Sequence, residues 1–220
     1  MKHFTIIDVP QRSPEWFAAR CGRLTGSVAA DILKSGRKKG EESVARRDLR
    51  LVLATEQITG EPEDGDGFVS KEMQRGIDKE RDALALYEAR TGLLVSKSGF
   101  ISHRSLLAGC SLDGHVGDFE GIVEVKCPKR STHVRYWKAG ELPDEYRPQV
   151  LHNLWVTGAS WADFVSFDDR FHGALQLFRV RVTRDALQAE LEAYDQTARL
   201  FLAEVEQLRQ ELEELERRAA

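Results

Sequence analysis

The sequence predicts an α/β fold, a sheet core flanked by helices and closed by a long C-terminal helix. Helical patterns fill the chain up to Thr91 and give way at Leu93 to short apolar runs punctuated by glycine. Beyond Leu187 an apolar seam recurs at alternating spacings of four and three. The chain has 220 residues, 41% of them apolar and 31% charged, which suits one buried core and excludes disordered, collagen-like and disulfide-scaffold classes. We therefore expect a single domain over 1–220, with 1–184 as its core and 185–220 as a long amphipathic helix.

The elements follow from their punctuation. Ser13-Pro14-Glu15 starts a helix, Ser13 capping and Pro14 at the first helical position, and Gly22 stops it. A second start at Leu24-Thr25-Gly26-Ser27 leads into a helix over Val28–Leu33. Lys34–Gly40 reads as a polar loop, Val44–Thr59 as a helix, Glu61–Gly67 as an acidic turn-rich loop and Glu72–Thr91 as a helix ended by Gly92. Leu93–Ser102, Leu107–Gly114 and Ile122–Cys127 read as strands. Helices are expected over Thr132–Ala139 and from Pro148 to Thr157, and strands over Trp161–Phe167 and Leu175–Val182. Leu187, Leu191, Tyr194, Ala198, Phe201, Val205, Leu208, Leu212 and Leu215 form the final seam, which packs either on its own core or on a partner helix.

Charge is unevenly placed. The formal net charge is −4, but residues 185–220 alone carry −6. The segment from Lys34 to Arg50, which includes Arg37, Lys38 and Lys39, is locally +4 and could meet a polyanion or be a solvated loop and helix. The glutamate-rich end of the last helix would repel phosphates, so we place it away from any such ligand. No apolar stretch approaches the ~18 residues of a membrane span, so no membrane association is expected. MKHFTIIDVPQRS contains no apolar run of secretory type. Three cysteines without a CxxC pair fit a reducing cytoplasm and argue against zinc ribbons and four-cysteine clusters.

Several chemistries lack their residues. There is neither GxxxxGK[ST] nor GxGxxG, and Gly109-Cys110-Ser111-Leu112-Asp113 departs from the nucleophile elbow at its last position. The six histidines show no HxxxH spacing.

The informative stretch is Asp113 to Lys126, DGHVGDFEGIVEVK. A hairpin turn over Gly117–Gly121 sets Asp113 and Glu124 opposite one another, with Cβ atoms ~4.5–5.5 Å apart. Opposed like charges destabilise a sheet unless a cation neutralises them, and carboxylate oxygens suit Mg²⁺. Lys126 shares that face by the two-residue period, while Val123 and Val125 point into the core. A surface salt bridge on an ordinary hairpin is the alternative. Glu80 falls on the apolar face made by Ile77, Leu84 and Tyr87 of its helix, where an unpaired carboxylate costs several kcal/mol. A third acidic ligand reaching a metal would explain it, and so would a side chain that snorkels to solvent or pairs with Arg75 or Arg81.

EWFAARCGRLTGS, MQRGIDKERDALALYE, CSLDGHV, GIVEVKCP and EYRPQVLHNLWVTG, in that order over roughly residues 12–168, closely resemble the phage lambda exonuclease family of viral recombination nucleases. The resemblance implies a restriction-endonuclease-like core with a central mixed sheet. It implies a Mg²⁺-dependent 5′→3′ exonuclease acting on double-stranded DNA ends, with a pair of metal ions for which Mn²⁺ can substitute. It further implies a homotrimeric ring, a phage single-strand annealing protein as partner, and a phage- or prophage-encoded protein in a bacterial cytoplasm. By the same resemblance Asp113, Glu124 and Lys126 match the catalytic residues, Glu80 the helix glutamate near the metals, Val125 the main-chain metal ligand and Gln149 the glutamine of the last motif. Arg20, Ser27 and Ser111 match the pocket for the 5′-terminal phosphate. Ser27 at a helix start would also suit a phosphate or a simple cap, and Arg20 could simply stack on Trp16. The pocket's further arginine falls at Thr132 here, with Arg130 two residues earlier as a possible stand-in. An endonuclease on the same core, and a non-catalytic DNA-binding scaffold, are the other readings; the intact acidic and lysine set argues against the scaffold.

Overall fold

The computed structural model describes residues 2–38, 40–63 and 71–219, with only the backbone described at 71–73. Lys39 and most of the acidic 61–67 loop therefore lie outside the described residues.

Strand β1 (Phe4–Ile7) precedes helix α1 (Pro14–Arg20), whose N-cap Ser13 accepts from the Trp16 amide at 3.2 Å. Strand β2 (Leu24–Thr25) and two 3₁₀ turns, Gly26–Val28 and Asp31–Leu33, replace the helix expected over Val28–Leu33. Gly26 lies so close to Asn153 that an added Cβ would stand 2.6 Å from its Oδ1, and this crowding by a neighbouring helix is invisible in the local pattern. Helices α2 (Val44–Thr59) and α3 (Lys71–Thr91) follow as expected. The run Leu93–Ser102 divides into β3 (Val95–Ser96) and β4 (Phe100–His103), which enter different sheets. Next come β5 (Ala108–Cys110), β6 (Gly114–Val116), β7 (Gly121–Lys126), α4 (Arg130–Ala139), α5 (Arg147–Thr157), β8 (Trp161–Phe167), β9 (Leu177–Thr183) and α6 (Gln188–Ala219).

Strands order as β3-β6-β7-β8-β9 in a five-stranded mixed sheet and as β1-β4-β5-β2 in a smaller one. The larger sheet is antiparallel except where β7 and β8 run parallel, joined through α4 and α5. Gly121, opposite Trp161, has to be glycine, because a Cβ there would sit 2.1 Å from the indole ring. The β6–β7 register pairs Gly114 with Val123 and Val116 with Gly121, so its continuation sets Asp113 opposite Glu124 as the spacing predicts.

Two apolar clusters flank the larger sheet. Val123 and Val125 pack with Ala83, Leu84 and Tyr87 of α3 on one side; Ile122 joins α5 and α6 on the other. Helix α5 is buried from Val150 to Leu154. Its His152, pushed down to about 4 by burial and so neutral, bridges the Gly109 carbonyl (2.9 Å) and the Tyr194 hydroxyl (2.7 Å). That bond ties α5 to β5 and to α6. The C-terminal seam packs on its own core from Leu191 to Val205, Leu208 and Leu212 are half-covered, and Leu215 is 59% exposed.

Helix α6 lies against α2 and so meets the basic segment. Glu204 pairs with Arg46 (2.7 Å) and Arg50 (3.1 Å), and both arginines also meet Glu42. Lys34 pairs with Asp31, Lys38 with Glu41 and Arg47 with Asp48. Glu41, Glu42 and Asp48 already enter the local count of +4, so the further answer comes from Asp31 and Glu204, outside the segment. Among the described residues no helix is long and apolar enough to cross a membrane.

Candidate active site

The site forms at the C-terminal end of β7. Two-residue periodicity puts Glu124 and Lys126 on the face covered by α5, while the β6–β7 register sets Asp113, the residue just before β6, alongside. Asp113 Oδ2 accepts from the Val125 amide at 2.7 Å, which fixes that carboxylate against the strand. Glu124, 2% exposed, accepts from Lys126 Nζ at 2.5 Å and from Gln149 Nε2 at 2.7 Å through Oε1. Its Oε2 accepts from Asn153 Nδ2 at 3.2 Å. Gln149 and Asn153 are four apart on α5 and so present one face to the strand, a spacing legible in QVLHN although only Gln149 was expected. Lys126 also lies 5.0 Å from the centre of the Tyr146 ring.

Glu80 reaches the same cavity from α3, on the other side of the sheet. The cavity, about 390 Å³, is lined by Arg12, Gly76, Ile77, Glu80, Asp113, Val125, Lys126, Cys127, Pro128 and Tyr146. Glu80 pairs with Lys97, and not with the expected alternatives Arg75 and Arg81; Arg75 serves Asp168 and Asp169 instead. Lys97 comes from the loop between β3 and β4, and no spacing in the sequence ties it to Glu80.

Electrostatics follow from burial. Burial first and then the Glu124 charge push the Asp113 carboxyl up to about 7, with Lys126 and the Val125 amide pulling the other way. For Lys126, burial lowers the pKa, but Glu124 and Asp113 outweigh it and hold the ammonium above the ordinary lysine value. Lys126 therefore stays cationic. A carboxyl whose pKa is higher folded than unfolded loses stability as pH rises through that interval. Asp113→Asn keeps an acceptor for the Val125 amide and removes the charge. In chelator at pH 8 this variant should melt a few degrees higher than the parent, with the gap closing towards pH 4; equal melting at pH 8 would contradict the repulsion.

Asp113 and Glu124 make a hard-oxygen pair whose mutual repulsion a cation would relieve, which fits Mg²⁺ or Mn²⁺. As the side chains stand, no three His, Cys, Asp or Glu among the described residues are close enough together to hold an ion.

A second cavity, about 280 Å³, opens beside α1 and includes Trp16, Arg20, Arg23, Thr25 and Ser27 in its lining. Arg20 stacks 4.2 Å from the Trp16 ring centre and donates to Ser27 Oγ at 3.2 Å and Thr25 Oγ1 at 3.4 Å, so stacking and the serine contact coexist. Ser111 accepts from the Trp16 indole N–H at 2.8 Å. Ser27 sits in a three-residue 3₁₀ turn, not at the start of an α-helix. Arg130 is exposed at the first position of α4, and neither it nor Thr132 lines this cavity, whose second arginine is Arg23. Arg37 and Lys38 are exposed on the loop before α2.

The mixed sheet, its flanking helices and the long final helix define a restriction-endonuclease-like core. The chain belongs to the family of YqaJ-like viral recombinase domains, which its residues 15–160 match. Among solved structures it is similar to LHK-Exo, an alkaline exonuclease from Laribacter hongkongensis, also solved in complex with dAMP. Identity there is 36% over 94% of this chain and 100% of the other, with a TM-score of 0.80. It also shares a fold with a phage-related exonuclease from Haemophilus somnus 129PT, at 17% identity and a TM-score of 0.59 over 86% of this chain and 96% of that one. No curated protein matches significantly. The resemblance to the lambda exonuclease family thus holds at the level of the superfamily.

Proposed function

We propose that this chain is a Mg²⁺-dependent deoxyribonuclease that digests one strand of duplex DNA 5′→3′ from its ends, leaving 3′ single-stranded overhangs for recombination. The observation that carries the reading is the meeting of Asp113, Glu124 and Lys126 at the end of β7, with Glu80 on the same cavity. The relatives named as exonucleases support it. Asp113, Glu124, the Val125 carbonyl and Glu80 would hold the metal, as a pair of ions. When bound, it supplies an activated water and charge for the leaving oxygen of an in-line displacement.

The chain's own side chains do the rest. Lys126 keeps its proton and places fixed positive charge where the phosphate becomes more negative. Gln149 and Asn153 hold both oxygens of Glu124, so the carboxylate does not swing away from the site. Arg20 and Ser27, with Ser111 behind Trp16, take the 5′-terminal phosphate, which carries more charge than an internal one. Each cut regenerates that end, so the grip gives digestion its direction. Arg130, Arg37 and Lys38 would meet the duplex backbone further out, as would Lys39, which lies outside the described residues. A homotrimeric ring, a phage annealing protein as partner and a bacterial cytoplasm are part of the same proposal.

Arg20→Ala should lower the preference for 5′-phosphate over 5′-hydroxyl ends roughly tenfold, the loss of about 1.4 kcal/mol of selective binding, and shorten each processive run. Single-encounter digestion of end-labelled duplex measures both quantities. Unchanged preference and run length would leave Arg20 as a packing partner of Trp16. The polarity itself is read by labelling either end: release of 5′ label first supports the reading, and release of 3′ label first overturns it.

A further inference from the structure

Arg12 stands apart in the cavity around Asp113. It is an exposed arginine with φ of +70°, in the left-handed region that side chains other than glycine seldom occupy. The Ser13 amide donates to the Pro10 carbonyl at 3.1 Å, closing a four-residue turn in which Arg12 is third. That is the place where a type II turn takes its left-handed residue, usually glycine. The turn is held from both sides. Gln11 Nε2 donates to the Leu112 carbonyl at 3.1 Å, next to Asp113, and Ser13 caps α1. The chain therefore carries a strained arginine on a clamped turn at the mouth of the site.

Nothing among the described residues answers its charge. Lys126 is paired with Glu124, Lys97 with Glu80, and Asp113 is bonded to the Val125 amide, whereas no carboxylate among the described residues pairs with Arg12. The position lies directly before α1, so the turn joins the Asp113 cavity to the helix that bears Trp16 and Arg20. Arg12 lines the Asp113 cavity only a few residues before Trp16 and Arg20, which line the other. Backbone strain without a partner among the described residues points to a ligand outside the chain.

We infer that Arg12 is a substrate-binding residue that contacts a DNA backbone phosphate beside the scissile bond, an anchor separate from Arg20. The inference rests on the nuclease reading above. A contact of this kind adds about one unit to the slope of log affinity against log salt, and the strain adds an opposite signature in stability.

The test compares the parent chain with Arg12→Gly and Arg12→Lys in chelator, using a blunt 5′-phosphorylated duplex. Arg12→Gly should weaken binding about tenfold at moderate salt and flatten the salt slope by about one, while its melting temperature rises by ~2–4 °C as the strain is relieved. Arg12→Lys should keep the parent slope. The inference is overturned if Arg12→Gly binds with the parent's affinity and slope, or if it melts lower than the parent with binding lost in proportion to unfolding. A parent chain that fails to bind duplex ends at all would instead defeat the nuclease reading.

Discussion

Asp113→Ala is expected to abolish cleavage while duplex binding stays within about threefold of the parent. The carboxylate sits at the centre of the proposed metal site, bonded to the Val125 amide and facing Glu124. Without it, Glu124, Glu80 and the Val125 carbonyl lack the central carboxylate needed to fix a divalent ion, and the barrier loses roughly 4 kcal/mol or more of stabilisation, a thousandfold or greater loss in rate. Binding should survive because the cations proposed to meet phosphate, Arg20 and Arg12 among them, lie on other segments. Removing a negative charge from the site should, if anything, strengthen it. The Val125 amide loses its acceptor at a cost of about 1–3 kcal/mol, so the variant should be checked for a cooperative melt before assay. Near-normal Mg²⁺-dependent digestion by folded Asp113→Ala would remove Asp113 from the site.

Lys126→Ala should depress turnover by roughly a hundredfold or more and duplex affinity by only a few fold, the signature of a cation that acts on developing charge. Its neighbours explain the split. Lys126 is held between Glu124 and the Tyr146 ring, tied to a buried carboxylate. Taking one member from a buried ion pair can cost ~3–5 kcal/mol, though Gln149 and Asn153 remain on Glu124 to limit the loss. Lys126→Gln keeps a donor for Glu124 without the charge, and it should lose turnover to a similar extent while melting closer to the parent. Equal losses of turnover and affinity in both variants would make Lys126 a phosphate-positioning residue instead.

What the sequence disclosed follows the reach of each interaction. The Asp113–Glu124 facing could be read because a hairpin's register is set by its own turn, and β6 and β7 keep that register. Helices α2 and α3 were legible through their stripes and terminal glycines. The first strand escaped notice, since Phe4–Ile7 is paired only to β4, about a hundred residues away. So did the turn structure after Thr25, where Asn153 crowds Gly26. In the site, Gln149 came from a resemblance, whereas Asn153 could have been found from helical spacing alone. Lys97 and Arg12 could not. One reaches Glu80 through tertiary placement, and the other is distinguished by a backbone angle that its identity as arginine does not announce. The basic segment misled in the opposite way: counting its charge ignored Glu204, which arrives from α6 to pair with Arg46 and Arg50.

The most direct measurement is digestion of linear and covalently closed duplex DNA of one sequence, each with Mg²⁺ and with chelator. A metal-dependent end nuclease built on Asp113, Glu124 and Lys126 should remove one strand from the linear DNA with Mg²⁺, spare the closed circle and do nothing in chelator. Cutting of the closed circle, or equal digestion of linear DNA in chelator, would contradict it.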